Sequence, residues 1–227
     1  MKKVDLEEQE RDLVPTLDAM LVIAATFVLV LFMGSFFFLV FGSGPALVLS
    51  ELLILIVPLV YLLARRIDIK RFIGLKINPK LVVLGLASGV LLLFVNIIVS
   101  LMLTVIFGAS QAVEESNALI TELSSSTSGL LLVITALSLA GICEEFTFRG
   151  FLQNALTRRY SFIPAVIASS ITFGLFHFDP QLVYIISAIS AGLVLGYIYN
   201  HWNSYLVVAM AHSTVNIVVL FTLLLVP

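Results

Sequence analysis

GLLLVITALSLAGICEEFTFRGFLQNAL, residues 129–156, is the stretch whose reading decides the fold of this chain. It exceeds the roughly 20 residues that a helix needs to cross a bilayer. Inside its apolar run, Leu130–Cys143 on one side and Phe146 and Phe148 on the other, stand two adjacent glutamates, Glu144 and Glu145. An ionised carboxylate in hydrocarbon costs roughly 2.5–3.5 kcal/mol on insertion scales, and two side by side repel each other. A pair of this kind is not kept in a membrane interior for packing, so the chemistry is to be sought around it.

Working outward, the rest of the chain is equally apolar. Its 227 residues are 60% hydrophobic and only 11% charged, with a mean hydropathy of +1.14. Soluble domains carry roughly 25% charged residues. The net charge of −2 says little, because the charges are segregated along the chain. Nothing in it points to nucleic acid. The single cysteine, Cys143, excludes an intramolecular disulfide framework and any CxxC zinc site. Met1–Pro15 is mixed in charge and is not followed by a short apolar core with a small-residue cleavage site, so no cleaved signal peptide is expected.

The apolar segments lack the alternation of barrel strands, and only helices or closed barrels satisfy the backbone in lipid. The sequence therefore predicts an all-α, polytopic membrane helix bundle of about seven to eight transmembrane helices. The expected spans are Leu17–Phe41, Ala46–Ala64, Leu81–Phe107, Gly129–Leu156, Phe162–His177, Gln181–Asn200 and Tyr205–Val226. Gly42-Ser43-Gly44-Pro45, Asn78-Pro79, Phe162-Ile163-Pro164 and Phe178-Asp179-Pro180 supply the breaks. Gly108–Ser128 reads as an acidic loop with Glu114, Glu115 and Glu122. Residues 1–16 form a short terminal segment, and 17–227 a single membrane domain with no internal repeat.

Of the twelve Lys and Arg, all but Arg149 lie in three places: Lys2, Lys3 and Arg11, the loop Arg65–Lys80, and Arg158-Arg159. With alternating spans these three regions share one side. The positive-inside rule makes that side, and the N-terminus, cytoplasmic. The short loops suggest a prokaryotic plasma membrane. Gly85-xxx-Gly89 and Ala188-xxx-Gly192-xxx-Gly196 suit close helix packing within the bundle. The basic loop suffices as a topology determinant, and it could also meet anionic lipid.

Few polar residues remain within the spans, and most fall at one depth. With a rise of about 1.5 Å per residue, Glu144, Glu145, Arg149, His177, His212 and Asn216 all lie about 13–24 Å from the level of the basic loops. Three helices can therefore bring them together. Glu145 and Arg149 are spaced i,i+4 and can pair on one face, leaving Glu144 as the free carboxylate. Phe173 and His177, and His212 and Asn216, are likewise i,i+4. Glu51 and His201 read as interfacial, and Asn96 as an interhelical hydrogen bond. Cys143 adjoins Glu144, but no histidine flanks it in sequence and an apolar site disfavours the thiolate.

Glu144-Glu145-Phe-Thr-Phe-Arg149 fits EExxxR, Phe173-Gly-Leu-Phe-His177 fits FxxxH, and His212-Ser-Thr-Val-Asn216 fits HxxxN. Three such motifs in this order resemble the CPBP (Abi) family of intramembrane proteases, which includes the type 2 CAAX prenyl proteases and bacteriocin-processing proteins. The resemblance covers a catalytic core of about 129–218, with no departure at the signature positions. The Arg65–Lys80 loop with Gly74-Leu75 also looks like the family's basic loop.

The resemblance implies peptide-bond hydrolysis in a membrane-associated protein or peptide, prenylated or not. By position, Glu144 would activate water with His177, Glu145 and Arg149 would support the site, and His212 and Asn216 would stabilise the oxyanion. Phe148 and Phe173 are expected to bind substrate. A carboxylate base with polarised donors is what amide hydrolysis requires. No cofactor is certain: Glu144, His177 and His212 would make an acceptable zinc set, although metal-independent glutamate catalysis is the favoured expectation. The competing readings are a non-catalytic membrane scaffold, a bacteriocin-immunity protein and a proton-coupled transporter. The last predicts polar residues strung through the full membrane depth, and often repeats.

Overall fold

The computed structural model describes residues 14–225, so Lys2, Lys3 and Arg11 lie outside the described residues. The order of elements is α1 (Thr16–Phe41), α2 (Ser43–Ala64), α3 (Ile69–Phe72), α4 (Pro79–Phe107), α5 (Gln111–Leu123) and α6 (Thr127–Glu145). There follow a π-helical segment (Phe146–Gln153), α7 (Asn154–Thr157), α8 (Phe162–Leu175), α9 (Val183–Trp202) and α10 (Tyr205–Leu225). No strand occurs among the described residues, and the chain is an all-α integral membrane bundle.

Among the described residues, six helices are long and apolar enough to cross a membrane: α1, α2, α4, the continuous Thr127–Thr157, α9 and α10. The seventh expected span, Phe162–His177, is shorter than a crossing. Helix α8 has 14 residues, which at about 1.5 Å each falls well short of a roughly 30 Å core. Phe178-Asp179-Pro180 ends it, because proline disfavours helical geometry in the residue before it. His177 is thereby left just past the helix end rather than inside a full span.

A second difference lies in the segment read as an acidic loop. Ser110 caps a 13-residue helix there, its side chain accepting from the Val113 N–H. Ala112, Val113, Leu119, Ile120 and Leu123 give α5 one apolar face, and Glu114, Glu115 and Glu122 stand among its polar positions. At 13 residues it is too short and too polar to span.

Packing is set by small residues. Gly85 and Gly89 of α4 lie against α10, where an added Cβ would meet the Val207 carbonyl at 3.0 Å or the Ala211 carbonyl at 2.9 Å. Gly141 of α6 does the same on the other side of α10, with a Cβ only 2.8 Å from the Ala209 carbonyl. The paired glycines of α4 thus serve contacts within the bundle. Gly141→Ala is expected to cost about 1–3 kcal/mol as an overpacking change that backbone cannot yield to, read as a lower thermal midpoint in lipid nanodiscs.

The two ends of the bundle differ. At one, the Arg65–Lys80 loop is stapled under the helix turns: Tyr199 Oη donates to the Ile73 carbonyl at 3.1 Å and the Asn154 side-chain amide donates to Phe72 O. Thr16 Oγ1 also meets Tyr160 Oη at 3.4 Å. Gly74, at φ +67°, lets the loop pass beside Asn203. The basic residues of this loop and Arg158-Arg159 therefore share one end. At the opposite end, α5 meets the 176–182 loop that follows α8.

Candidate active site

The site begins at the end of α6, where the helix widens. In the π-helical segment the Asn154 N–H bonds to the Arg149 carbonyl, an i→i+5 step. Carbonyls that lose their ordinary partners are taken by neighbours: Ser169 Oγ donates to Phe148 O at 2.7 Å. Thr147 Oγ1 donates to Ile54 O at 2.8 Å, tying the segment to α2. The simple i,i+4 reading of the sequence did not contain this widening.

Arg149 is wholly buried. Its Nη1 donates to Glu145 Oε1 at 2.9 Å and its Nη2 to the Gly192 carbonyl at 3.2 Å. Its guanidinium carbon lies 4.4 Å from the Phe173 ring centroid. The side chain fits because position 192 is glycine: a Cβ there would stand 3.2 Å from Nη2. The Glu145–Arg149 pairing expected from spacing is thus formed, and fully desolvated.

Helix α10 brings His212 onto the glutamates. Three bonds to α6 carbonyls set its register: Tyr205 Oη to Ile142 at 2.8 Å, Ser213 Oγ to Ser138 at 3.0 Å, and Asn216 Nδ2 to Leu137 at 3.3 Å. In that register His212 Nδ1 lies 2.8 Å from Glu145 Oε1, and Nε2 lies 3.7 Å from Glu144 Oε2. Glu144 Oε2 has no hydrogen-bond partner among the described residues. The imidazole is thus hydrogen-bonded to Glu145 and faces Glu144 Oε2 without bonding to it.

His177 lies just past the end of α8. Its Nδ1 sits 3.0 Å from the Phe173 carbonyl, and its ring packs 4.7 Å from Phe173 and 5.1 Å from Tyr184, centroid to centroid. His212 also presents its imidazole to Glu144. Phe148 and Phe173, expected at the substrate, are buried against each other with centroids 5.2 Å apart. Phe173 is the ring under the Arg149 guanidinium, and Phe148 backs it. His201 stacks on Tyr197 at the far end of α9, 6.0 Å between centroids.

Two residues, Glu51 and Asn96, stand closer to the site than their sequence positions suggest. Glu51 lies eight positions into α2, about 12 Å along the helix and not at an interface. Its Oε2 is buried without a partner among the described residues, and it interacts electrostatically with Glu144. Its charge inside an apolar run was the signal. Asn96 Oδ1 is also buried and unpartnered, and the residue lines a cavity with Asn216.

That cavity measures about 370 Å³ and lies between α4, α5, α9 and α10, within the range of ligand pockets. Tyr184 and Asn216 join it to the site. Beside it, buried Asp179 locks the 176–182 loop to α5. It accepts from the Tyr184 N–H at 2.7 Å, the Gln181 N–H at 3.0 Å and Ser110 Oγ at 3.2 Å. Burial alone would raise its pKa, but these donors outweigh that and hold it below the ordinary carboxylate value. A depressed folded pKa means the latch is fully formed above about pH 4 and is lost as pH falls through the lower folded value. The protection factor of the amides in loop 176–182, their exchange rate divided into the intrinsic rate at each pH, is expected to be constant from neutral pH to about 5 and to fall only in stronger acid. Asp179→Asn should lower it throughout.

Among the described residues, no three His, Cys, Asp or Glu side chains converge as a metal centre requires. Glu144, His177 and His212 are not drawn together as such a cluster in this arrangement, although the Nδ1 contacts of His212 to Glu145 and of His177 to a backbone carbonyl leave the Nε2 of each as the nitrogen that would face a metal.

Residues 126–218 match the family described as type II CAAX prenyl endopeptidase Rce1-like. This is the CPBP/CAAX protease family to which the three motifs pointed, and the match spans all of them. Comparison with curated proteins and with solved structures found no match.

Proposed function

We propose, from the Rce1-like match of residues 126–218, that this chain is an intramembrane endopeptidase that hydrolyses a peptide bond through water activated by Glu144. The observation that carries the reading is His212 held between Glu145 at 2.8 Å and Glu144 at 3.7 Å, with Glu144 Oε2 unpartnered. With its Nδ1–H donated to Glu145, a neutral His212 leaves Nε2 as an acceptor. A water between Nε2 and Glu144 then donates to both and turns a lone pair toward the scissile carbonyl. Glu144 takes the proton as hydroxide equivalent adds to the carbonyl, and returns it to the leaving amine.

The remaining roles follow from what each side chain touches. Arg149 neutralises Glu145, which keeps a carboxylate for His212 to lean on without drawing on Glu144. Asn216 spends one N–H on Leu137 O; an amide has a second, and that one supports an oxyanion role on the cavity side. His177, packed on Tyr184 with its Nδ1–H given to the Phe173 carbonyl, keeps Nε2 as a second acceptor when neutral. No step passes through a metal. The positive-inside pattern supports a bundle whose Arg65–Lys80 end is cytoplasmic.

The test is purified protein in lipid nanodiscs with an internally quenched peptide, prenylated and unprenylated, with and without chelator. Cleavage that survives chelator and is lost in His212→Ala is expected. Activity lost in chelator and restored by zinc would overturn the metal-independent step. Undiminished activity in His212→Ala would overturn the water-activating pair.

A further inference from the structure

The end of the bundle opposite α5 carries charge that the proposed chemistry does not use. Arg65, Arg66, Lys70, Arg71, Lys76 and Lys80 of the loop, and Arg158 and Arg159 of the turn after α7, are all exposed there. The described acids at that end are Asp18 and Asp68, and both are engaged. Asp18 Oδ2 accepts from Tyr61 Oη at 2.6 Å, and Asp68 Oδ1 from the Arg71 N–H at 3.2 Å. Among the described residues, Lys70, Arg158 and Arg159 form no ion pair.

A topology signal needs only that such charges lie on one side of the membrane. Here they are also built into a fixed surface. Ile67, Phe72 and Ile73 are buried in the core, and the Tyr199 and Asn154 side chains donate to the Ile73 and Phe72 carbonyls. Asn154 turns its other polar atom, Oδ1, to the Nε–H of Arg158 at 3.4 Å. That guanidinium lies over the Phe72 ring, 4.9 Å from its centroid. Phe72 thereby joins α3 to the turn after α7 and gathers cations from two distant parts of the chain. A guanidinium held on an aromatic face keeps its outer N–H groups for an anion, and it loses less freedom on binding one.

The level of this end indicates which anion. Helices α2 and α9 finish at Ala64 and Trp202, and α4 and α10 begin at Pro79 and Tyr205. The cations therefore stand where four spans leave the hydrocarbon. Tyr160, Tyr197 and Trp202 are exposed at the same end, as amphipathic rings are among lipid headgroups. Between Lys76 and Lys80, Ile77 is 85% exposed, an apolar side chain better placed in a bilayer than in water. Phosphates at this depth belong to phospholipids.

We infer that this end binds the headgroups of anionic phospholipids, with Arg158 on Phe72 and the α3 residue Lys70 at its centre. The protein then gathers such lipids from the surrounding bilayer in preference to zwitterionic ones. The inference does not rest on the protease reading, and its test needs no turnover.

Trp202 is the single tryptophan of the chain and stands at this end, so its fluorescence reports the neighbouring lipid. The full chain is placed in mixed vesicles in which either phosphatidylglycerol or phosphatidylcholine carries a bromine quencher. Quenching is expected to show the anionic lipid favoured at least about fivefold at low salt, with the preference declining as salt screens the charges. Lys70→Gln/Arg158→Gln and, independently, Lys70→Gln/Arg159→Gln should bring the ratio to within about twofold of unity. Phe72→Leu should lower it although every charge remains. Thermal midpoints report that each variant is folded. Equal quenching by the two lipids in the full chain, whose sequence also holds Asp5, Glu7, Glu8, Glu10 and Asp12, would mean that protein carboxylates meet these cations, and would overturn the inference. A preference untouched in both double variants would do the same. So would one abolished by soluble glycerol phosphate, the mark of a free phosphate ligand.

Discussion

Glu144→Gln is expected to stop turnover, by about 10²–10⁴-fold as for loss of a positioned general base, while the protein stays folded. The substitution keeps shape and hydrogen-bonding capacity but removes the basic oxygen. Glu144 makes no hydrogen bond that the fold depends on: its Oε2 is unpartnered, and its approach to His212 is 3.7 Å. Glu145→Gln should behave differently. It breaks the support of both His212 and Arg149, so its loss of activity is expected together with a lower thermal midpoint. The measurement is initial rate on a quenched peptide beside a melting curve in the same nanodiscs. Wild-type rates from Glu144→Gln would remove it as the base.

Arg149→Met is expected to destabilise the protein by about 3–5 kcal/mol, the usual cost of breaking a buried pair from one side. Glu145 would be left fully buried with no cation, and the Gly192 carbonyl would lose its donor. The packing on Phe173 is partly kept by the methionine stem. The double variant Glu145→Gln/Arg149→Met should recover much of that stability, because the uncompensated charge has gone with its partner. It should recover no activity. Denaturant melts of the two single variants and the double variant give the coupling directly. Additivity would mean that the pair contributes little to the fold.

The spans were legible because hydropathy and the bilayer's thickness leave few alternatives: the predicted Ala46–Ala64 and Leu81–Phe107 differ from α2 and α4 by only a few residues at their starts. The exceptions have local causes. Helix α8 is short because Asp179-Pro180 ends it, and α5 was missed because a short amphipathic helix gives no transmembrane signal. The Glu145–Arg149 pair was legible because i,i+4 spacing puts two side chains on one face whatever surrounds them. The depth of Glu51 was not legible because the helix starts at Ser43, three residues before the apolar run that begins at Ala46.

The chain by itself determined that this is a membrane bundle carrying its ionisable groups in one layer. Apolar length, the three ordered motifs and helical spacing are properties of the sequence that no packing alters. Only the tertiary structure decided that His212 reaches both glutamates. That depends on how far each helix is rotated and slid against its neighbours. Glycine contacts at 85, 89 and 141 and the α10-to-α6 hydrogen bonds set it, and the widened turn after Glu145 adjusts it. The cavity under α5 is of the same kind. It is enclosed by residues from helices far apart in the chain, so it exists only once those helices have met.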